Sequence, residues 1–346
     1  MKKFYAIIGN PPYNEEQGTG DQKNFAPPIY DRFIDESNKI SDKVELIHPA
    51  RFLFRQGSTP KAWNEKMLSD DHFKVVHYEP DSKVVFPGLT IPIKGGVAIT
   101  LHDKSKSFGA IGTFTSYREL NTIMNKTKPD SEESSLMSII YIQNRFNLET
   151  LLREHPECRE SIGSDGKDSR FEKNSFVKTP VFTKSPESED SIKTIGTIDS
   201  KRTWRYISAK YVDNSHENLT CYKVVLPATN GNGDIGETFA NPIVCGPSEA
   251  FTRSFISIGA FDNKTEAENT LKYIKTKFCR VLLHVLKVTQ MNNRETWRYV
   301  PLQNFSVTSD IDWSKSIHEI DMQLYKKYSL DSEEITFIES HVKEMT

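Results

Sequence analysis

Apolar residues in the first hundred positions fall in short runs, each stopped by a breaker. Residues 4–8 stop at Asn10-Pro11-Pro12, residues 44–48 at Pro49, and residues 84–86 at Pro87, while residues 97–101 follow Gly95-Gly96. Runs of this length, rich in Val and Ile and bounded by Pro, Gly or Asn, predict strands around residues 4–8, 44–48, 75, 84 and 97. Between them the helical period appears. Residues 29–40 predict a helix with Phe33, Ile34 and Ile40 inward, and residues 63–68 a shorter one. Strand alternating with helix up to about Lys104 predicts an α/β sheet.

The pattern changes near residue 115, which divides the chain into regions 1–115 and 116–346. A helix near 120–125, an apolar piece at 136–142 and polar stretches at 130–135 and 183–191 come first. Short strands are expected over 193–222, then a firmer one at 222–227 that ends in Pro227. The last hundred residues carry helical stripes. Asn263 and Glu266 precede Ala267, Leu271, Ile274, Phe278, Leu282 and Val285, which read as one helix opened by a capping box. Ile317, Ile320, Leu324 and Tyr328 form a second stripe, and Asp331 with Glu334 caps a third carrying Ile335, Ile338 and Val342. These stripes read as core faces.

At 346 residues the chain can bury two cores, and 36% hydrophobic and 11% aromatic residues suit a globular protein. No apolar run approaches membrane-spanning length. Cys158, Cys221, Cys245 and Cys279 show no CxxC spacing and no histidine pairing that suggests a metal; they read as reduced thiols of a cytoplasmic protein. A net charge of −2 argues against a generally basic nucleic-acid protein but leaves room for a local basic groove.

The candidate chemistry lies in Ile7-Ile8-Gly9-Asn10-Pro11-Pro12-Tyr13. A strand that stops at two prolines becomes a rigid loop at its carboxyl end, the place where open α/β sheets hold ligands. This loop offers a side-chain amide oxygen, a carbonyl at Pro11 and an aromatic face. A planar substrate with an exocyclic amine can donate its N–H bonds to Asn10 and to the Pro11 carbonyl while Tyr13 stacks on the ring. The amine is then the nucleophile, and no side-chain nucleophile is required. The alternative is a plain turn after a strand.

These residues resemble the catalytic loop of S-adenosylmethionine-dependent amino-methyltransferases, specifically the adenine-N6 DNA methylases of bacterial type II restriction–modification systems. Val44-Glu45-Leu46-Ile47-His48-Pro49-Ala50-Arg51-Phe52, then Val84-Val85-Phe86-Pro87, then Ile93-Lys94-Gly95-Gly96-Val97-Ala98-Ile99-Thr100-Leu101 fit in the expected order, the last as a hairpin. Trp297-Arg298-Tyr299-Val300-Pro301-Leu302 and Asp310-Ile311-Asp312-Trp313-Ser314 are similar to the C-terminal end of such enzymes. The resemblance implies a partial Rossmann-like methyltransferase sheet, then a mixed α+β target-recognition and C-terminal domain. It implies catalytic roles for Asn10, Pro11, Pro12 and Tyr13, with Phe86 against the flipped base; ordinary strand-end packing is the other reading of Phe86.

In this class a glycine-rich cofactor half precedes the NPPY loop. Only nine residues precede Asn10, and neither Gly95-Gly96 nor Asn230-Gly231-Asn232-Gly233-Asp234 reads as a cofactor cradle. The expectation is therefore an incomplete S-adenosylmethionine site, with cofactor-binding residues unassigned, completed by a methylase subunit or joined to a restriction subunit. Double-stranded DNA is the expected substrate, with the base flipped out. Candidate contacts are Arg51, Arg55 and Lys61 past a strand end, Lys94 beside glycines that leave room for close approach, and the basic–aromatic run Lys201, Arg202, Trp204 and Arg205. Residues 14–28 are long for a plain connection and suit a lid or a DNA contact. Other readings remain open: a methylase of protein glutamine or of RNA, a non-catalytic DNA-recognition subunit, an inactive truncated methylase, or a nuclease site at Asp130, Asp165 and Lys167.

Overall fold

A computed structural model describes residues 4–15, 27–55, 57–162, 169–287 and 289–345. It divides into two compact units, Met1–Arg118 and Glu119–Thr346, each a mixture of helices and sheet. The first unit holds β1 (Phe4–Gly9), β2 (Ser41–Pro49), β3 (Phe73–Glu79) and β4 (Val97–Asp103) in the spatial order β1-β2-β4-β3. β1 runs parallel to β2, whereas β4 is antiparallel to both β2 and β3. The carboxyl ends of β1, β2 and β3 and the amino end of β4 therefore share one rim of the sheet.

Helix α1 (Tyr30–Ile40) lies between β1 and β2 in sequence, and α2 (Lys61–Leu68) between β2 and β3. Tyr30 and Ile34 turn inward, but Phe33 is 42% and Ile40 37% exposed, contrary to the sequence expectation. The helical period explains this. At about 100° per residue, Phe33 and Ile40 lie roughly 80° and 100° from the centre of the Tyr30–Ile34 stripe. The core beneath is aromatic: Phe52 meets Trp63 edge-on at 5.0 Å and Phe73 at 6.2 Å between ring centroids. The expected strand at residue 84 is instead one helical turn, α3 (Ser82–Val85). The Asp81 side chain accepts from the Lys83 N–H at its start, and the local cap outweighs the β-branched preference of Val84 and Val85.

β1 differs from every other strand of this sheet. Ile7 packs on the core, yet Phe4 is 55%, Tyr5 81% and Ile8 80% exposed. Its outer edge has no strand partner among the described residues.

Helix α4 (Arg118–Thr127) begins at the boundary between the units, and the second unit contains two sheets. One has the order β10-β6-β7 and the other β5-β11-β8-β9, built from β5 (Ile140–Tyr141), β6 (Ile192–Ile198), β7 (Lys201–Ile207), β8 (Tyr222–Pro227), β9 (Ile243–Cys245), β10 (Glu249–Phe251) and β11 (Phe255–Phe261). β6 and β7 form a hairpin whose turn places Asp199 and Ser200 at φ of 49° and 61°, the mirror-type geometry that matches strand twist. Short helices α5 (Leu148–Glu154), α6 (Cys158–Ser161) and α7 (Ser175–Lys178) line this region.

The long stripe expected from Ala267 to Val285 is broken into α8 (Lys264–Lys275) and α9 (Lys277–Leu283). Thr276 leaves helical geometry at ψ 149°, and its hydroxyl accepts from the Cys279 N–H. The Asp321 carboxylate accepts from Lys277 N–H at 3.0 Å and Phe278 N–H at 2.9 Å. A threonine that can cap and a buried carboxylate from elsewhere restart the helix, which periodicity cannot reveal. Asp321 itself sits on α10 (Ile317–Lys327), which precedes α11 (Ser332–His341); both open with the reciprocal capping box, at Ser316/Glu319 and Asp331/Glu334. No helix among the described residues is long and apolar enough to cross a membrane.

Candidate active site

The Asn-Pro-Pro-Tyr segment leaves the end of β1 at the shared rim. Asn10 and Pro12 are exposed, Pro11 and Tyr13 half-buried. The loop is pinned where it leaves. The Tyr13 carbonyl accepts from Ile29 N–H at 3.0 Å, the Pro27 carbonyl accepts from Glu15 N–H at 2.9 Å, and Asn14 bridges Pro28. Two prolines fix the near side and this short ladder fixes the far side, so the Asn10 amide is carried on constrained backbone. The Tyr13 hydroxyl is buried without a well-formed hydrogen bond. Burial pushes its pKa up to about 12, and the approach of the Asn10 side chain offsets part of that rise. Tyr13 is therefore a neutral aromatic plate, not a base.

Beneath the rim, Tyr30 stacks on His48, with centroids 5.6 Å apart and planes within 2°. His48 is fully buried. Its Nδ1 lies 3.2 Å from the Pro49 carbonyl and its Nε2 2.7 Å from the Thr100 hydroxyl. A carbonyl can only accept, so Nδ1 carries the proton and Nε2 accepts from Thr100. Burial lowers the His48 pKa to about 4, so the ring is neutral. It ties β2 to β4 under the rim. Its place in the quoted methylase-like stretch was visible in the sequence, but its partner, 52 residues away, was not.

The rim also gathers other expected site residues. Arg51 begins the turn after β2, and its Nε donates to the Lys94 carbonyl at 2.7 Å. That bond latches the turn into β4 and leaves the terminal nitrogens of the guanidinium. Arg55, in left-handed backbone, forks onto Glu65 through Nε at 2.9 Å and Nη2 at 3.3 Å. Lys61 and Lys94 are exposed. The room expected beside Gly95-Gly96 is already filled. A Cβ on Gly95 would lie 2.9 Å from Arg51 Cγ, and one on Gly96 2.3 Å from the Glu79 carbonyl oxygen. These glycines serve close approach within the chain, not access by DNA. Phe86 follows α3 on the same rim and is half-buried, outside the aromatic core. Three strand spacings, roughly 14 Å, separate the β1 and β3 positions.

In the second unit the basic–aromatic run occupies β7, with its residues divided between two faces. Trp204 lies opposite Ile195 and packs on the core of Val225, Phe251 and Phe255, with the Lys193 ammonium 4.2 Å from its ring centroid. Arg202, on that face, donates to the Asn241 and Ala240 carbonyls at 2.8 and 3.0 Å. Lys201 and Arg205 alternate to the other face, where Arg205 Nη1 bonds the Trp204 carbonyl at 2.9 Å. This strand's aromatic and one of its arginines are engaged in packing and loop support. Asp165 and Lys167 of the nuclease reading, and most of the 14–28 loop, lie outside the described residues. Among the described residues no group of His, Cys, Asp and Glu gathers to hold a metal ion.

Residues 1–86 match the Eco57I restriction-modification methylase family. Over 98 residues, 28% of this chain, it is 31% identical to an uncharacterized adenine-specific methylase of Mycoplasma pneumoniae and covers 23% of that protein's length. Among solved structures, the chain is similar to the type IIG restriction endonuclease BpuSI, with a TM-score of 0.33 at 10% identity over 95% of this chain and 49% of that one. It is also similar to the type IIL restriction-modification enzyme MmeI in complex with DNA, with a TM-score of 0.35 at 9% identity over 97% of this chain and 56% of that one. Scores this low carry neither fold nor function across. The resemblance to adenine methylases of restriction–modification systems is thus shown on the segment that bears the Asn-Pro-Pro-Tyr loop; the family match does not reach the segments at 297–302 and 310–314.

Proposed function

We propose that this chain carries the amine-orienting site of a site-specific DNA adenine-N6 methyltransferase of a restriction–modification system. The observation that carries the reading is the Asn10–Tyr13 loop, exposed at a sheet rim and pinned on both sides, inside the segment that matches methylases. The Asn10 side-chain oxygen and the Pro11 carbonyl accept the two N–H bonds of a flipped adenine and aim the nitrogen lone pair outward. Tyr13 offers the ring a flat neutral face, and Phe86 packs against its edge. S-adenosylmethionine, when bound, supplies the electrophilic methyl group. No described residue is assigned to hold it. Alignment of amine and methyl supplies much of the rate. Arg51 and Lys94 lie on the same rim and suit phosphate contact.

The outer edge of β1, bare among the described residues, supports a second element of this reading: further polypeptide, carrying the cofactor site, adds to that edge. An edge strand with Tyr5 and Ile8 four-fifths exposed is what a protein covers, because an open apolar edge invites wrong pairing.

The role of Asn10 is tested by Asn10→Ala in the enzyme assembled as in its native cell. Methyl transfer should fall by about a thousandfold or more, as for loss of a transition-state hydrogen-bonding group, with DNA affinity within about twofold. Equal loss of transfer and affinity would make Asn10 a binding residue and overturn the assignment.

A further inference from the structure

The second unit holds two open cavities of about 490 Å³ each that adjoin along one wall. Both are lined by Ile142, Gln143 and Arg294. We propose that they form one groove that reads base edges of duplex DNA, with Gln143 as the reading side chain. The inference rests on the methylase reading only for its choice of DNA as ligand.

Gln143 is 5% exposed, and its side-chain amide makes no hydrogen bond to a described residue while the residue lines both cavities. The amide is not sealed off within the fold, so its donors and acceptor stay available to a ligand that enters the cavities. Its carriage is rigid. The neighbouring Asn144 accepts from Phe251 N–H at 2.9 Å, donates its own N–H to the Phe251 carbonyl at 3.1 Å, and accepts from Phe171 N–H at 2.9 Å. β5, just before it, is zipped to β11 through Ile140 and Tyr141. In extended backbone, Gln143 and Arg145 lie two residues apart on the same side, and both line the first cavity.

The surrounding charges suit a nucleic acid more than a free anion. Arg145 is exposed and has no ion-pair partner among the described residues. Arg294 is held by Glu132 at 2.6 Å, and Arg253, in the second cavity, by Glu172 at 3.2 Å. Asp213 also lines the first cavity, its carboxylate taken up by the N–H and hydroxyl of Ser215 at 2.9 and 2.7 Å. A site for phosphate alone would exclude carboxylates, whereas base edges present both donors and acceptors. A glutamine amide can pair with both N6 and N7 of adenine, and the half-exposed Ile142 offers an apolar contact for a thymine methyl.

The test is selection of bound sequences from a randomised duplex by the full chain, followed by titration of the selected site. Gln143→Leu keeps the side-chain size and removes the unpaired amide. It should leave thermal stability equal or higher and relax preference at one base pair by about ten- to a hundredfold. Arg145→Ala should weaken all sequences evenly and reduce the salt slope by about one. An unchanged preference in the folded Gln143→Leu protein, equal binding of single strands or RNA, or no duplex binding by the unaltered chain would each overturn the groove. Asn10→Ala should leave the selected sequence unchanged. A groove that passes while Asn10→Ala still transfers methyl would refute only the catalytic assignment.

Discussion

The rim of the first unit and the groove of the second solve different problems with differently organised residues. At the rim the residues proposed to orient the amine are contiguous: Asn10, Pro11, Pro12 and Tyr13 follow one strand, and two prolines and a short ladder hold them. In the groove, Gln143, Arg145, Asp213, Arg253 and Arg294 come from distant parts of the sequence and from loops between two small sheets. Presenting an amine for methylation demands one fixed arrangement of acceptors, which a short rigid motif can hold. Reading a site demands a surface whose contacts can be varied one at a time, and scattered loop residues provide that.

The same contrast orders the expected effects. The largest concerns the open edge of β1. Ile8→Lys adds a charge to a side chain that is 80% exposed, so the isolated chain should keep its melting temperature, while methyl transfer by the assembled enzyme falls at least a hundredfold. A drop in melting temperature of several degrees would show that this edge is already covered within the chain.

Next comes the turn that Arg51 latches. Gly96→Ala introduces a Cβ 2.3 Å from the Glu79 carbonyl oxygen at φ +73°, and should cost about 3 kcal/mol or more in denaturant unfolding of the first unit. A cost under about 1 kcal/mol would mean that the β3–β4 connection is loose.

Acid should then act on the first unit through His48. Its pKa is depressed in the folded chain from 6.5 to about 4, so the stability it contributes is complete above about pH 6.5 and is lost as the pH falls to about 4. The loss amounts to roughly 3 kcal/mol. Unfolding free energies of the unaltered chain and of His48→Gln across that interval should diverge in slope, and parallel curves would sink the buried neutral tautomer.

The smallest effect lies in the second unit. Asp331→Ala removes the side-chain acceptor for the Glu333 and Glu334 N–H groups, both at 3.0 Å, and should cost about 1 kcal/mol with no change in DNA preference.

What the sequence displayed follows the same division. Strand runs, breakers and the Asn-Pro-Pro-Tyr stop are local signals, and β1 to β4 and their shared rim follow from them. The capping boxes at Asp331 and Ser316 are local too, the former legible from residue types alone. Val84 misled because a run of β-branched residues lost to one aspartate cap, and the helix break at Thr276 depends on Asp321, 45 positions away in the numbering. Trp204 and Arg202 looked like reading residues by type, but packing and loop carbonyls occupy them. Gln143 is ordinary in the sequence. Its significance is its place on the wall shared by the two cavities, which only three-dimensional neighbours define.

The most direct test of the catalytic account is to express the gene with its native neighbouring genes in a host free of DNA methylation, and to map modified bases on the host DNA by single-molecule sequencing. N6-methyladenine should be confined to one recurring sequence and should disappear when the gene carries Asn10→Ala. Methyl groups on cytosine instead, or adenine methylation that persists with Asn10→Ala, would contradict that account.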